Sequence, residues 1–259
     1  MNRIDQLFQN RKALVLSIYF CAGHPRLENT LSTLRALQDH QIDMIEIGIP
    51  FSDPMADGPV IQHAATQALN NGMSLRYLFH QLENARPDIH IPLVLMGYLN
   101  PILQFGFQAF CEQCQRVGID GVIIPDLPFQ EYLQHYKPVA DQYKVKFIML
   151  ITPETSEARI RQIDEHTDGF IYMVSSAAIT GSQKIFNEQK QAYFRRIEAM
   201  KLKNPLLVGF GISNRQTLKA ANAHAAGAII GSKFVQLLEA YQGNADLAIE
   251  QLKRLLETN

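Results

Sequence analysis

Cysteine is scarce: Cys21, Cys111 and Cys114 are the only three in 259 residues, too few for a disulfide-stapled scaffold. Cys111 and Cys114 do form a C-x-x-C, but it falls in the amphipathic helical pattern FQAFCEQCQRVG, and no second pair completes a zinc site. The eight histidines are scattered, without metal-ligand spacing such as H-E-x-x-H, so no metal is expected. No apolar run approaches the roughly 20 residues of a membrane span. The N-terminus, MNRIDQLFQNRKALVLSIYF, lacks the layout of a secretory signal, and cytoplasmic residence is the expectation. Neither sign of charge is in excess. With 24 Lys and Arg against 25 Asp and Glu, there is no electrostatic footprint of a nucleic-acid or anionic-membrane partner. An acidic ligand must then be held by local geometry. Pro/Gly/Ser linkers and low-complexity segments are missing too, so residues 1–259 read as a single domain.

What is present is an alternation. Apolar, β-branched runs recur at 14–20, 43–49, 92–98, 120–126, 145–151, 169–175, 205–211 and 227–232. Segments of helical period lie between them, with Ser156 and Ser213 as candidate N-caps. Strands this apolar belong to a parallel sheet covered on both faces. Eight of them, each followed by a helix, predict an α/β fold: a single (β/α)8 TIM barrel. A short N-terminal helix at Ile4–Gln9 closes its bottom, and extra helical segments are expected near the last strands. A doubly wound sheet with an added domain is the alternative. The stretches 50–60 and 176–190 exceed minimal βα loops and are candidate lids over the C-terminal mouth.

One strand carries an anomaly. Glu46 sits inside Asp43-Met44-Ile45-Glu46-Ile47-Gly48-Ile49, sharing a face with Met44 and Gly48. An unpaired charge buried there costs several kcal/mol or shifts its pKa. The other reading, a buried ion pair, lacks an identifiable inward-facing basic residue. Asp57 lies on the loop FSDPMADGP leaving the same strand, and two acids delivered to one place suggest acid–base chemistry. Asp53 and Asp57 could instead cap a turn or the helix near Pro59. Asp126, ending the fourth run, suits a supporting role. Tyr172 shares a face with Phe170 and Val174 and projects into the barrel, as a site residue or a core tyrosine. Glycine-bearing turns follow the last three runs: Thr180-Gly181-Ser182, Gly209-Phe210-Gly211 and Gly231-Ser232. Together they imply a phosphate held largely by main-chain amides.

The segment EIGIPFSDPMADGPVIQ (46–62), supported by PLVLMGYLNPI, PDLPFQE, ITG (179–181), VGFGIS and AIIGSKFV in order along the chain, resembles the tryptophan synthase alpha chain family. The resemblance implies a lyase that cleaves indole-3-glycerol phosphate to indole and glyceraldehyde 3-phosphate by a retro-aldol step, without a cofactor of its own. It implies Glu46 as the acid–base, Asp57 as acceptor for the indole N–H, and Tyr172 beside Glu46. Tyr19, Met96, Ile151, Thr180 and Phe210 would frame the indole, and Gly181, Gly211, Gly231 and Ser232 would bind the phosphate. The implied partner is a pyridoxal-phosphate beta chain, two alpha with two beta chains, with Asp53 at the interface. Departures are His24 where the family has aspartate in G-D-P, and Ser176 and Ala178 where its loop has arginine and glycine. The altered loop leaves a weakly active regulatory subunit as the rival reading. A third is another phosphate-binding barrel enzyme, which the missing Lys or His base disfavours.

Overall fold

The computed structural model describes residues 1–11, 13–174, 188–209 and 211–257. Its strands are β1 (Val15–Cys21), β2 (Met44–Gly48), β3 (Leu93–Met96), β4 (Gly121–Ile123), β5 (Lys146–Ile148), β6 (Leu150–Ile151), β7 (Ile171–Val174), β8 (Leu206–Gly209) and β9 (Gly227–Ile230). They form one parallel sheet in the order β5-β4-β3-β2-β1-β9-β8-β7-β6. The two ends of that order are consecutive in the chain, separated by Met149 alone. The sheet therefore curls into a TIM barrel interrupted at one residue. The seven-residue run 145–151 is thus two strands: its first half pairs with β4 and its second with β7, and the ladder changes partner at Met149.

Side-chain alternation sorts the barrel into two layers. Val15, Met44, Val94, Ile123, Ile148, Phe170, Leu207 and Ile229 pack together inside. Ile45, Ile47, Leu93, Leu95 and Met173 belong to the layer shared with the helices. The N-terminal helix Arg3–Asn10, capped by the Asn2 side chain, inserts the fully buried Ile4 into the interior cluster and plugs the bottom. Two helices follow β9, Ser232–Ala240 and Ala245–Glu257, but β2 and β3 are each followed by two as well, so the added helices are not confined to the last strands. Cys111 and Cys114 are free and buried on the helix Phe107–Val117.

The bottom is held by a buried carboxylate with a full set of donors. Asp120 accepts from Arg86 Nη2 (2.6 Å), Arg3 Nη1 (3.1 Å) and the Leu93 amide (3.0 Å), tying the N-terminal helix to β3 and β4. Arg86 spans the same seam by donating to the carbonyls of Gly118, Ile89 and Ile91. Removing one partner of such a pair leaves the other charge uncompensated. Asp120→Ala is therefore expected to cost about 3 kcal/mol, read as a lower urea midpoint. An unchanged midpoint would show the network to be dispensable.

Candidate active site

β2 carries Glu46 into the barrel, fully buried, one step toward the mouth from Met44. Ser17 Oγ on β1 donates to Glu46 Oε1 at 3.1 Å, while Oε2 has no hydrogen-bond partner among the described residues. No basic side chain pairs with it among the described residues, which removes the buried ion-pair reading. Burial pushes its pKa up to about 8, with the Ser17 hydrogen bond pulling in the opposite direction. Glu46 is thus a carboxyl that holds its proton near neutral pH.

Tyr19 lies directly opposite Glu46 in the β1–β2 register. Its ring reaches across Gly48, where a Cβ would come within 2.1 Å of the phenol oxygen; Tyr172 lies equally close to Gly209. Only glycine at these two positions lets both tyrosines lie across the interior at this level. Burial raises both phenol pKa values, and the charges of Glu46 and Asp57 add to the effect.

Asp57 occupies the loop between β2 and the helix Pro59–Asn70. Tyr98 Oη donates to Asp57 Oδ2 at 2.8 Å and accepts from the Ala56 amide at 2.9 Å, pinning the loop over the barrel. Asp126 accepts from the Leu99 amide at 2.9 Å and so fixes the start of the helix that follows Tyr98. This is the supporting role expected of it. Burial lifts the Asp57 pKa to about 6 against the opposing hydrogen bond from Tyr98. Burial thus sets the two acids apart, Glu46 raised to about 8 and Asp57 to about 6.

A cavity of about 280 Å³ opens at this end, walled by Tyr19, Asp57, Met96, Tyr172 and Ile229 and by Gly211, Ser213, Gly231, Ser232 and Lys233. Glu46 lies behind this wall rather than in it. The helix Ser232–Ala240 begins at the cavity with no side-chain cap, leaving first-turn amides for an anion. The helix Arg215–Asn222, by contrast, is closed by a capping box between Asn214 and Thr217. Asn214, not Ser213, is the cap, because its side chain accepts from the Thr217 amide; Ser213 instead lines the cavity. Among the described residues, Asp57 and Lys233 are the only charged side chains in the wall, of opposite sign.

Of the residues expected at a site, Asp57, Tyr172, Tyr19, Met96, Gly211, Gly231 and Ser232 meet at this cavity, with Glu46 beneath. Ile151 does not. It is buried in the outer layer, and it is Leu150, one residue earlier, that packs on the interior cluster. Asp53 is exposed, accepting from Ser52 Oγ, beside Met55 at 84% exposure. Thr180, Gly181 and Phe210, with Ser176 and Ala178 and most of the stretch 176–190, lie outside the described residues. Among the described residues no group of three or more His, Cys, Asp or Glu could hold a metal ion, and no helix is long and apolar enough to cross a membrane. Tyr98, Ser17, Ser213 and Lys233 are additions to the site residues expected from the sequence.

The family model for the tryptophan synthase alpha chain matches residues 5–259. This chain belongs to that family. The tryptophan synthase alpha chain of Phocaeicola vulgatus is 65% identical over 257 residues, spanning 99% of this chain and 100% of the relative. The solved alpha chain of Legionella pneumophila superposes with a TM-score of 0.85 at 32% identity, covering 99% of this chain and 98% of that one. A chain of the tryptophan synthase complex of Pyrococcus furiosus matches with a TM-score of 0.82 at 34% identity, over 95% and 97% of the two chains. His24 is buried, neither ring nitrogen has a hydrogen-bond partner among the described residues, and burial lowers its pKa.

Proposed function

We propose that this single-domain chain cleaves indole-3-glycerol phosphate to indole and glyceraldehyde 3-phosphate, with Glu46 as acid–base and Asp57 as the acceptor that steadies the indole N–H. The observation that carries the reading is one cavity whose wall holds helix-terminal amides, a lysine and Asp57, next to the fully buried carboxyl of Glu46 with its single hydrogen bond from Ser17 among the described residues. In the retro-aldol step Glu46 gives its proton to indole C3, making the ring an iminium-like electron sink. Asp57 stabilises the positive charge that develops at the ring nitrogen. The hydroxyl on the carbon bonded to C3 then loses its proton to the Glu46 carboxylate as the C–C bond breaks. The bonding pair returns to the ring, and the hydroxyl oxygen becomes the aldehyde oxygen. One proton is given and one taken, so Glu46 ends as it began. The substrate's own ring is the sink, so the step calls for no cofactor in this chain. Tyr19, Met96 and Tyr172 supply the apolar wall for the ring, while Gly211, Gly231 and Ser232 present amides to the phosphate; Thr180, Gly181 and Phe210 are proposed to complete these two subsites.

The exposed Asp53 and Met55 on the Asp57 loop are proposed to meet the beta chain, in an assembly of two alpha and two beta chains in the cytoplasm. A mainly regulatory role would leave the desolvated Glu46 without use. Incubating the purified chain with indole-3-glycerol phosphate, with and without a beta chain, tests the reading. Indole and glyceraldehyde 3-phosphate should appear in equal amounts; no indole under either condition would end it.

Lys233 has no hydrogen bond or ion pair among the described residues and lines the cavity beside Ser232, which supports its ammonium as a partner for the phosphate. Lys233→Ala should raise KM about tenfold with kcat little changed, and the difference should shrink at high salt. An unchanged KM would leave the phosphate to the amides alone.

A further inference from the structure

Among the described residues the buried carboxyl has one hydrogen-bond partner, Ser17, and its position suggests a task. Ser17 is fully buried on the interior face of β1, where the surrounding barrel residues Val15, Met44, Val94 and Ile229 are all apolar. A lone hydroxyl in such a layer has no solvent to turn to, and it is spent on Glu46 Oε1 at 3.1 Å. The register sets this up: Ser17 stands opposite Met44, two residues from Tyr19, which stands opposite Glu46, so the bond runs from a neighbouring strand and one level further from the mouth. One carboxyl oxygen is thereby tethered away from the cavity while Oε2 keeps no partner.

We propose, resting on the lyase reading, that Ser17 is a positioning residue for the reaction: its hydroxyl tethers one oxygen of Glu46 so that the other is left to exchange the proton with substrate. Ser17 touches no reacting atom. It acts by fixing the rotation of the carboxyl and by favouring its ionised form, since a donated hydrogen bond stabilises the anion that must form once the proton has gone to C3. The direction of that influence agrees with the opposing contribution of Ser17 to the raised Glu46 pKa.

Two consequences have different signs, which separates positioning from mere packing. Ser17→Ala frees the carboxyl to turn, so kcat at neutral pH should fall about tenfold with KM little changed. Losing the donor also makes Glu46 harder to ionise, so the alkaline limb of the rate profile should move up by about half to one pH unit. Ser17→Thr keeps the hydroxyl and should restore both readouts. Indole release by wild type, Ser17→Ala and Ser17→Thr between pH 6 and 10 (about two units either side of the Glu46 value) is the experiment. A limb that does not move in Ser17→Ala, or a fall in rate that Ser17→Thr shares, overturns the proposal. Carbon-13 titration of the Glu46 carboxyl in wild type and Ser17→Ala reads the same shift without turnover: an upward shift supports the tether and an unmoved titration sinks it. A wild type that releases no indole would fail the lyase reading, and with it the positioning role.

Discussion

Glu46→Gln is expected to lower turnover about 10³-fold while leaving fold and phosphate affinity intact. Glutamine fills the same volume and can still accept from Ser17, but it can neither give a proton to C3 nor take one from the hydroxyl. The substitution has a second, opposite effect. A carboxyl with a folded-state pKa near 8 and an ordinary value of 4.5 binds an extra proton in the folded state between those limits. Stability is therefore lost as pH rises from about 4.5 through about 8, at up to about 1.4 kcal/mol per unit. Glutamine carries no such penalty. Glu46→Gln should match wild type in thermal stability near pH 4.5 and exceed it increasingly up to pH 8, by an amount on the order of a few kcal/mol. Calorimetry at several pH values checks this. A variant no more stable at pH 8 than wild type would mean that the carboxyl is not desolvated.

Asp57→Asn should reduce kcat about 100-fold, the scale of losing one charge that stabilises a developing cation. The Tyr98 hydroxyl can still donate to an asparagine oxygen, so the loop should stay in place. The pH profile carries the sharper signature. In wild type Asp57 must be ionised and Glu46 protonated, so activity should fall below about 6 and above about 8. The aspartate limb lies on the acid side, where protonation removes the acceptor; the glutamate limb lies on the alkaline side, where ionisation removes the acid. Asp57→Asn should lose the acid limb and keep the alkaline one. Retention of both would assign the acid limb elsewhere.

Much of this fold is legible in the chain because a barrel strand covered on both faces leaves a blunt signal, a short apolar run repeated at regular distance. Glu46 stands out for the same reason, as a charge in such a run. The misses have equally physical causes. At the mouth end of the run 145–151, Met149, Leu150 and Ile151 are all apolar, so alternation alone cannot say which faces in; the family resemblance implies Ile151 at the cavity, whereas Leu150 packs inside. The break at Met149 depends on which neighbour each half pairs with, a tertiary fact. Ser213 and Asn214 are both good caps and adjacent, and only the contact with Thr217 chooses between them. Tyr98 reads as the end of an apolar run, and its bond to Asp57 spans 41 residues. Lys233 reads as a solvated lysine on the first turn of a helix, and only the fold sets that turn against the cavity. Ser17 gave a weaker version of the Glu46 signal, a polar group among apolar neighbours, and its partner lies 29 residues away.

The decisive quantity is the proton affinity of one side chain. Carbon-13 titration of glutamate carboxyls, with the Glu46 resonance assigned by its disappearance in Glu46→Gln, measures it in the resting protein. A value near 8 that coincides with the alkaline limb of indole release supports Glu46 as the desolvated acid of the lyase step. A carboxyl titrating near its ordinary 4.5, with the rate indifferent to it, contradicts that role.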